Sequence, residues 1–187
     1  LCLPMKKAVK MAHDEVKEAE TLIIKLETDE GITGFGESAA ALKFAGETLI
    51  SMKHIIDRHV KPALLGEDPF DIEKIHLILD KIMTHNNGAR AAIDIALHDL
   101  VCRALGIPLY QLLGGRTRED VRLTWHVANA TYESDIEEAS QAWDLGFEVI
   151  KLKVGTSDTQ RELRTIEAIR KKLENVKTLF SALDFGV

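Results

Sequence analysis

The chain is 187 residues long, 45% hydrophobic and 29% charged, with a formal net charge of −6 at pH 7. That length suffices for one domain and part of another, and the balance is that of an ordinary soluble globular protein. The negative balance, with no Lys/Arg cluster interleaved with aromatics, argues against nucleic acid as a partner, and no apolar run reaches the roughly 18 residues of a membrane span.

The N-terminal stretch Leu1-Cys2-Leu3-Pro4-Met5-Lys6-Lys7 lacks the hydrophobic core of a signal peptide. Cys2 and Cys102 have no metal-ligand spacing and form no disulfide framework, so two reduced thiols in a cytoplasmic protein are expected. Thr21 to Glu27 reads as a strand, Thr28-Asp29-Glu30-Gly31 as a turn, and Ile32 to Gly36 as an antiparallel return strand. Gly34 and Gly36 leave one face of that strand without side chains, which predicts close approach of another backbone. Glu37 to Gly46 follows as a loop of small residues.

Helical periodicity begins near Glu47, with Leu49, Met52, Ile55, Ile56 and Val60 on one side, and Pro62 is expected to help stop it. Asp68-Pro69 reads as an N-cap and first helical residue, opening a helix that turns Ile72, Ile75, Leu79 and Ile82 to the core. From about Gly88 to Leu105 the pattern is apolar over most of the circumference, so that helix should lie between layers, stopped by Gly106 and Pro108. Within it Asp94 and His98 are four residues apart and can share a face, as a structural contact rather than a catalytic pair. His54, His59, His76 and His85 have no ligand spacing and read as solvated.

A domain boundary is expected near Arg118, beyond which strand and helix alternate. Val121 to Ala128, Phe147 to Val154 and Val176 to about Leu183 read as strands. The two helices between them open on Ser134-Asp135-Ile136-Glu137 and on Ser157 with Gln160, the second burying Leu163, Ile166, Ile169 and Leu173. Such alternation implies parallel strands with right-handed crossovers. The middle strand, Val149-Ile150-Lys151-Leu152-Lys153-Val154, alternates with period two and has two readings. As an edge strand it would hold its lysines in water. In a closed barrel its apolar residues would pack on outer helices and both ammonium groups would face the mouth. Like charges held there disfavour each other's protonated form, and a Lys so placed can act as a base.

Five stretches carry a resemblance. They are Glu27 to Glu37 (ETDEGITGFGE), Gly46-Glu47-Thr48, Ala89 to Leu100 (ARAAIDIALHDL), Gly106 to Gly115 (GIPLYQLLGG) and Ile150 to Gly155 (IKLKVG). In this order they resemble the enolase superfamily, and within it the muconate-cycloisomerase-like subgroup of the mandelate racemase/muconate lactonizing enzyme family. The resemblance implies an α+β N-terminal capping domain over residues 1–118. Residues 119–187 would supply the first two to three β/α units of a (β/α) barrel, with active-site residues at the C-terminal strand ends. It further implies a racemase, epimerase or cycloisomerase, or a dehydratase, that removes the proton alpha to a substrate carboxylate through an enediolate. Lys153 would be the base and Lys151 its neighbour. Phe44, Glu47 and Thr48 in the capping loop, and Trp125 and His126 at the end of the first barrel strand, would bind the substrate. A Mg²⁺ (or Mn²⁺) ion would stabilise the enediolate, and Asp184 is the one candidate ligand, although its neighbours depart from the Asp-Ala-Asn-like motif expected at the end of the third strand and its spacing from Lys153 is long. The stretch from Glu119 to Val187 is far short of the roughly 250 residues of a whole barrel. The expectation is therefore a fragment, inactive alone, of an enzyme that is a homo-oligomer when full length. The competing readings are a non-catalytic α/β module that binds an anion where Gly155-Thr156-Ser157 opens a helix, and a remnant that associates with an intact paralogue.

Overall fold

The computed structural model describes residues 1–11, 14–127, 131–154, 158–173 and 177–182. They fall into two compact units, residues 1–6 with 18–117, and residues 7–17 with 118–187.

A three-stranded sheet runs in the order β1 (Cys2–Met11), β2 (Asp14–Glu27), β3 (Thr33–Ala39), with residues 2–6, 18–27 and 33–39 of it in the first unit. β2 and β3 form the expected antiparallel hairpin, in register from Glu27 opposite Thr33 to Thr21 opposite Ala39. Thr28 closes the turn: its N–H donates to Ile32 O at 3.0 Å and its hydroxyl oxygen accepts from Ile32 N at 3.1 Å. β1 has no counterpart among the strands expected from the sequence, and it carries Pro4 and a Lys-rich stretch, both depleted in strand interiors. Both are tolerated on an edge strand, whose outer backbone groups face water. Thr21 N donates to Leu1 O at 2.9 Å and the Leu1 ammonium to Thr21 O at 2.7 Å.

The helices of this unit are α1 (Leu42–Ala45), α2 (Leu49–Ile55), α3 (Lys61–Leu64), α4 (Ile72–Ile82), α5 (Asn87–Leu105) and α6 (Leu109–Leu112). A π turn, Ile56–Val60, joins α2 to α3, and the helical path runs through Pro62 to Leu64 instead of stopping there. The widened turn relieves the clash of the ring with the carbonyl four residues back and the loss of one N–H. α4 begins later than Asp68-Pro69 suggests. Asp68 Oδ1 accepts from Phe70 N at 2.9 Å, so these residues form a side-chain-closed turn and Asp71 is the N-cap. Val60, Ile75, Leu79, Met83, Ile93 and Leu97 form the buried core of this helical layer.

α5 lies directly on β3. A Cβ built on Gly36 would sit 2.7 Å from Ala96 N and closer still to Ala92 O, and one on Gly34 would sit 2.6 Å from Leu100 N. The partner of the bare strand face is therefore the backbone of α5, whose Ala89, Ala92 and Ala96 are fully buried. β3 is an edge strand, and Phe35 N, on its open side, donates to Asp99 Oδ2 at 2.9 Å. α5 is not buried all round, since Ile95 is 48% exposed.

In the second unit, β4 (Thr124–Val127), β5 (Val149–Val154) and β6 (Lys177–Ala182) form a parallel sheet in that order, with α7 (Tyr132–Asp144) and α8 (Thr159–Lys172) as crossovers. These are β/α units of the expected kind, and the three described strands do not close into a barrel. The true N-caps are Thr131, which accepts from Ser134 N at 3.2 Å, and Asp158, which accepts from Arg161 N at 2.9 Å. Asp135 is instead buried inside α7 and paired with Arg161 Nη2 at 3.0 Å. Val127, Ala139, Ala142, Ile150, Leu152, Ile169 and Leu173 form one core, whereas Leu163 is exposed.

Two outcomes follow from the β3–α5 contact. Gly36→Ala should lower the stability of the first unit by about 3 kcal/mol in denaturant titrations, because the clash is with backbone that cannot rotate away, whereas Thr33→Ala on the same strand should cost well under half of that. The carboxyl of Asp99 is subject to burial, which pushes its pKa up, but the Phe35 N–H and the Arg103 guanidinium outweigh this and hold it below the usual carboxylate value. A depressed folded pKa contributes stability that is present above the unfolded value of about 3.9 and is lost as pH falls through the folded one. Stability should therefore decline on acidification below about pH 4, and Asp99→Asn should show a shallower decline.

Candidate active site

The residues singled out in the sequence lie in two places, one in each unit. In the second unit β5 is the central strand, so the edge-strand reading of the lysine strand does not hold. Its Ile150 and Leu152 are buried against α7 and α8 beside Val127 of β4. Alternation then puts His126 and Lys151 on the sheet face away from the helices, and the two are register partners on adjacent strands. His126 is exposed and Lys151 half-buried. Lys153 is described as a backbone position, opposite Ser181 of β6.

Trp125 does not share that face. Its ring meets Phe147 edge to face at 5.0 Å between centroids, its Nε1 donates to Glu138 Oε1 of α7 at 3.3 Å, and it packs against the buried core. The residue before His126 on a strand faces the opposite side, and here that side is the helix layer, so the structure does not bring the Trp125 ring and the His126 side chain together. Asp184 and the Gly155-Thr156-Ser157 stretch lie outside the described residues.

In the first unit, the loop between β3 and α2 carries Phe44, Glu47 and Thr48. Phe44 is described as a backbone position in α1. Thr48 is the N-cap of α2: its hydroxyl oxygen accepts from Ser51 N at 3.1 Å while Thr48 N donates to Ser51 Oγ at 2.9 Å. Glu47 is 6% exposed. Its Oε1 accepts from Gly88 N at 3.0 Å and its Oε2 from Ala89 N at 3.2 Å, the first-turn amides of α5. Asn86, the local N-cap position, is in the left-handed region at φ 52° and its side chain makes no cap bond. Both oxygens of the carboxylate thus serve a helix start, as its positive end favours.

A histidine read as solvated proves engaged. His76 Nε2 lies 2.8 Å from Asp94 Oδ1, and His98 Nδ1 lies 2.9 Å from Asp94 O and 3.3 Å from its Oδ1. The i,i+4 spacing of Asp94 and His98 signals half of this cluster; His76, on α4, could be placed only by knowing how α4 crosses α5. Asp94 and His98 edge a half-open apolar groove of about 790 Å³ that also has Phe35, Ile95, Leu109 and Leu113 in its walls. Among the described residues no group of three or more His, Cys, Asp or Glu is placed to hold a metal ion. No described helix is long and apolar enough to cross a membrane.

The family of mandelate racemase/muconate lactonizing enzyme N-terminal domains matches residues 2–114. The chain is 36% identical over 173 residues to an N-succinyl-L-Arg/Lys racemase of Bacillus cereus, covering 92% of this chain and 47% of that protein. A crystal structure of N-succinyl Arg/Lys racemase from Bacillus cereus matches with a TM-score of 0.89 at 34% identity, over 96% of this chain and 48% of the other. A dipeptide epimerase from Enterococcus faecalis, complexed with Mg and L-Leu-L-Tyr, matches with a TM-score of 0.88 at 32% identity, over 96% and 50%. A muconate cycloisomerase 1 of Rhodococcus opacus is 32% identical over 179 residues, 92% of this chain and 48% of that one. The chain spans about half the length of the curated relatives it matches.

The division of the second sheet into a packed face and an open one is checked by stability alone. Trp125→Ala should cost about 3 kcal/mol through the cavity left against Phe147 and α7. Lys151→Ala should change the unfolding free energy by no more than a surface substitution does, about 0.5 kcal/mol.

Proposed function

Because the chain belongs to the mandelate racemase/muconate lactonizing enzyme family of the enolase superfamily, we propose that it contributes the base of a proton transfer alpha to a substrate carboxylate. In this reading Lys153 takes the proton, and the Lys151 ammonium beside it stabilises the negative charge that builds on the carboxylate. The substrate is an N-acyl amino acid or a dipeptide, and the outcome is inversion at the alpha carbon. The higher identity to the N-succinyl-L-Arg/Lys racemase, 36% against 32% for the muconate cycloisomerase, supports that class over lactonisation. Residues 1–118 serve as the capping domain and residues 119–187 as the opening of the barrel.

The observation that carries the reading is the placement of the lysine strand. β5 is central, its apolar side is held by α7 and α8, and Lys151 lies across from His126 on the other face. A base must approach a bound carbon acid from a fixed direction, and a strand braced on both edges supplies that rigidity better than a loop. A proton alpha to a carboxylate is far less acidic than any side-chain conjugate acid. Most of the barrier therefore has to come off through charge stabilisation, to which one ammonium contributes only part. The Enterococcus faecalis epimerase was crystallised with Mg. The described residues of this chain do not gather the carboxylates to hold such an ion, and we propose that the 187-residue chain alone has no turnover.

The test joins this chain to the remaining half of the Bacillus cereus racemase and follows loss of the substrate alpha-proton signal in D₂O by NMR. Exchange should appear in the fusion, be absent from the unfused chain, and fall by roughly 10²- to 10⁴-fold in Lys153→Ala. Undiminished exchange in Lys153→Ala would sink the assignment of the base, and exchange by the unfused chain would sink its predicted inactivity.

A further inference from the structure

The loop that follows β3 is closed on itself. Ala41 N donates to Glu47 O at 3.2 Å, forming an isolated antiparallel bridge, and Ala45 N donates to Ala41 O at 2.7 Å. Gly46 N donates to Leu42 O at 3.0 Å, with Gly46 at φ 71°, a conformation that favours glycine. Residues 41–47 are thus a short strap with its own internal hydrogen bonds. Among the described side chains of residues 41–46, none is buried. Leu42, at 63%, is exposed, as are Lys43, Ala45 and Gly46. What is buried is Glu47 at its foot.

Glu47 makes three connections within one residue of itself. Its carbonyl closes the strap, its carboxylate takes the Gly88 and Ala89 amides of α5, and its neighbour Thr48 caps α2. The site is built around the carboxylate. A Cβ on residue 88 would sit 2.8 Å from Glu47 Oε2, 2.9 Å from Ser38 Oγ and 3.1 Å from Met52 Sδ, so glycine there is what admits the side chain. The two hydrogen bonds are charge-assisted and lie at the positive end of a 19-residue helix. Once buried, the carboxylate cannot leave these amides without either finding water or remaining unsatisfied, and both are costly.

We infer that Glu47 is a positioning residue, a carboxylate clasp that fixes strap 41–47 to the start of α5 and so presets where Leu42 is presented. Opening the clasp releases the foot of the strap, and the strap amides and the first-turn amides of α5 become exposed together. Its function is conformational, and it stands whatever chemistry Lys153 performs.

Amide hydrogen exchange on the purified 187-residue chain tests this without any substrate, so its failure is separate from failure of the proton-transfer reading. In the unsubstituted chain the amides of Ala41, Ala45, Gly46, Gly88 and Ala89 should be protected. In Glu47→Ala all five should exchange roughly 10- to 100-fold faster, the factor expected for losing hydrogen bonds to a charged group, while the β2–β3 ladder is unchanged. Glu47→Gln keeps one carbonyl acceptor and should fall between. Strap exchange unaltered in Glu47→Ala would overturn the inference, because something else then holds the strap. An equal acceleration of strap and β2–β3 amides in Glu47→Gln would also overturn it, because Glu47 would then act only on global stability.

Discussion

The first unit depends on one contact, the approach of the α5 backbone to the face of β3. Ordinary helix-on-sheet packing keeps main chains about 10 Å apart because side chains fill the space between them. At Gly34 and Gly36 there is nothing to fill it, and opposite them α5 presents Ala92, Ala96 and the backbone at Leu100. Two elements that touch main chain to main chain cannot slide or rotate without collision, so the contact fixes both register and angle. It also brings Asp99 against the open edge of β3, where it takes the N–H of Phe35, a donor with no neighbouring strand. The same approach that removes side-chain volume thus answers an otherwise unpaired edge group.

A helix placed this tightly needs its start defended, and at the N-terminus of α5 the local sequence does not do it. His85 and Asn86 both have positive φ, which costs conformational energy for residues with a Cβ. Arg90 offsets that cost. Its guanidinium donates to Asp80 Oδ1 at 2.6 Å, His85 O at 3.1 Å, Leu79 O at 3.2 Å and Met83 O, binding the end of α4 to the start of α5. A lysine has neither the planar fork nor the number of donors for this. Glu47 then supplies the acceptors that Asn86 does not. The connection between α4 and α5 is therefore strained locally and stabilised by one arginine within the helix and one glutamate some forty residues upstream.

This explains what was and was not legible in the sequence. Periodicity reads out whatever is set by neighbours along the chain. The β2–β3 hairpin, the extent of α5 and the parallel β/α order were visible because turns, glycine stops and apolar repeats are local signals. The bare face of β3 was visible too, because two glycines at i and i+2 have few other uses in a strand. β1 was hidden, since an edge strand tolerates the Pro4 and lysines that elsewhere break one. The N-caps Asp71, Thr131 and Asp158 were each displaced by a few residues toward a more recognisable motif nearby. Long-range polar partners were not legible at all: neither Glu47 with Gly88 nor His76 with Asp94 leaves a trace in spacing. The family resemblance points to Glu47 as a substrate residue through its loop, and that loop is where it lies; the carboxylate itself is engaged by α5.

For the lysine strand, alternation alone was symmetric between two opposite geometries, lysines in water at an edge or lysines on one side of an inner strand. The symmetry is broken by what lies two residues apart on β4. Trp125 and Val127 belong to the helix-packed side, so His126 between them belongs to the other, and parallel pairing carries that assignment to Lys151 without further assumption. A hydrophobic face on one strand identifies a core only when the adjacent strand, in register, buries the same face. That condition is met here by Val127 beside Leu152 and by Trp125 beside Ile150, and it is what turns a pattern of charges into a face on which chemistry can be placed.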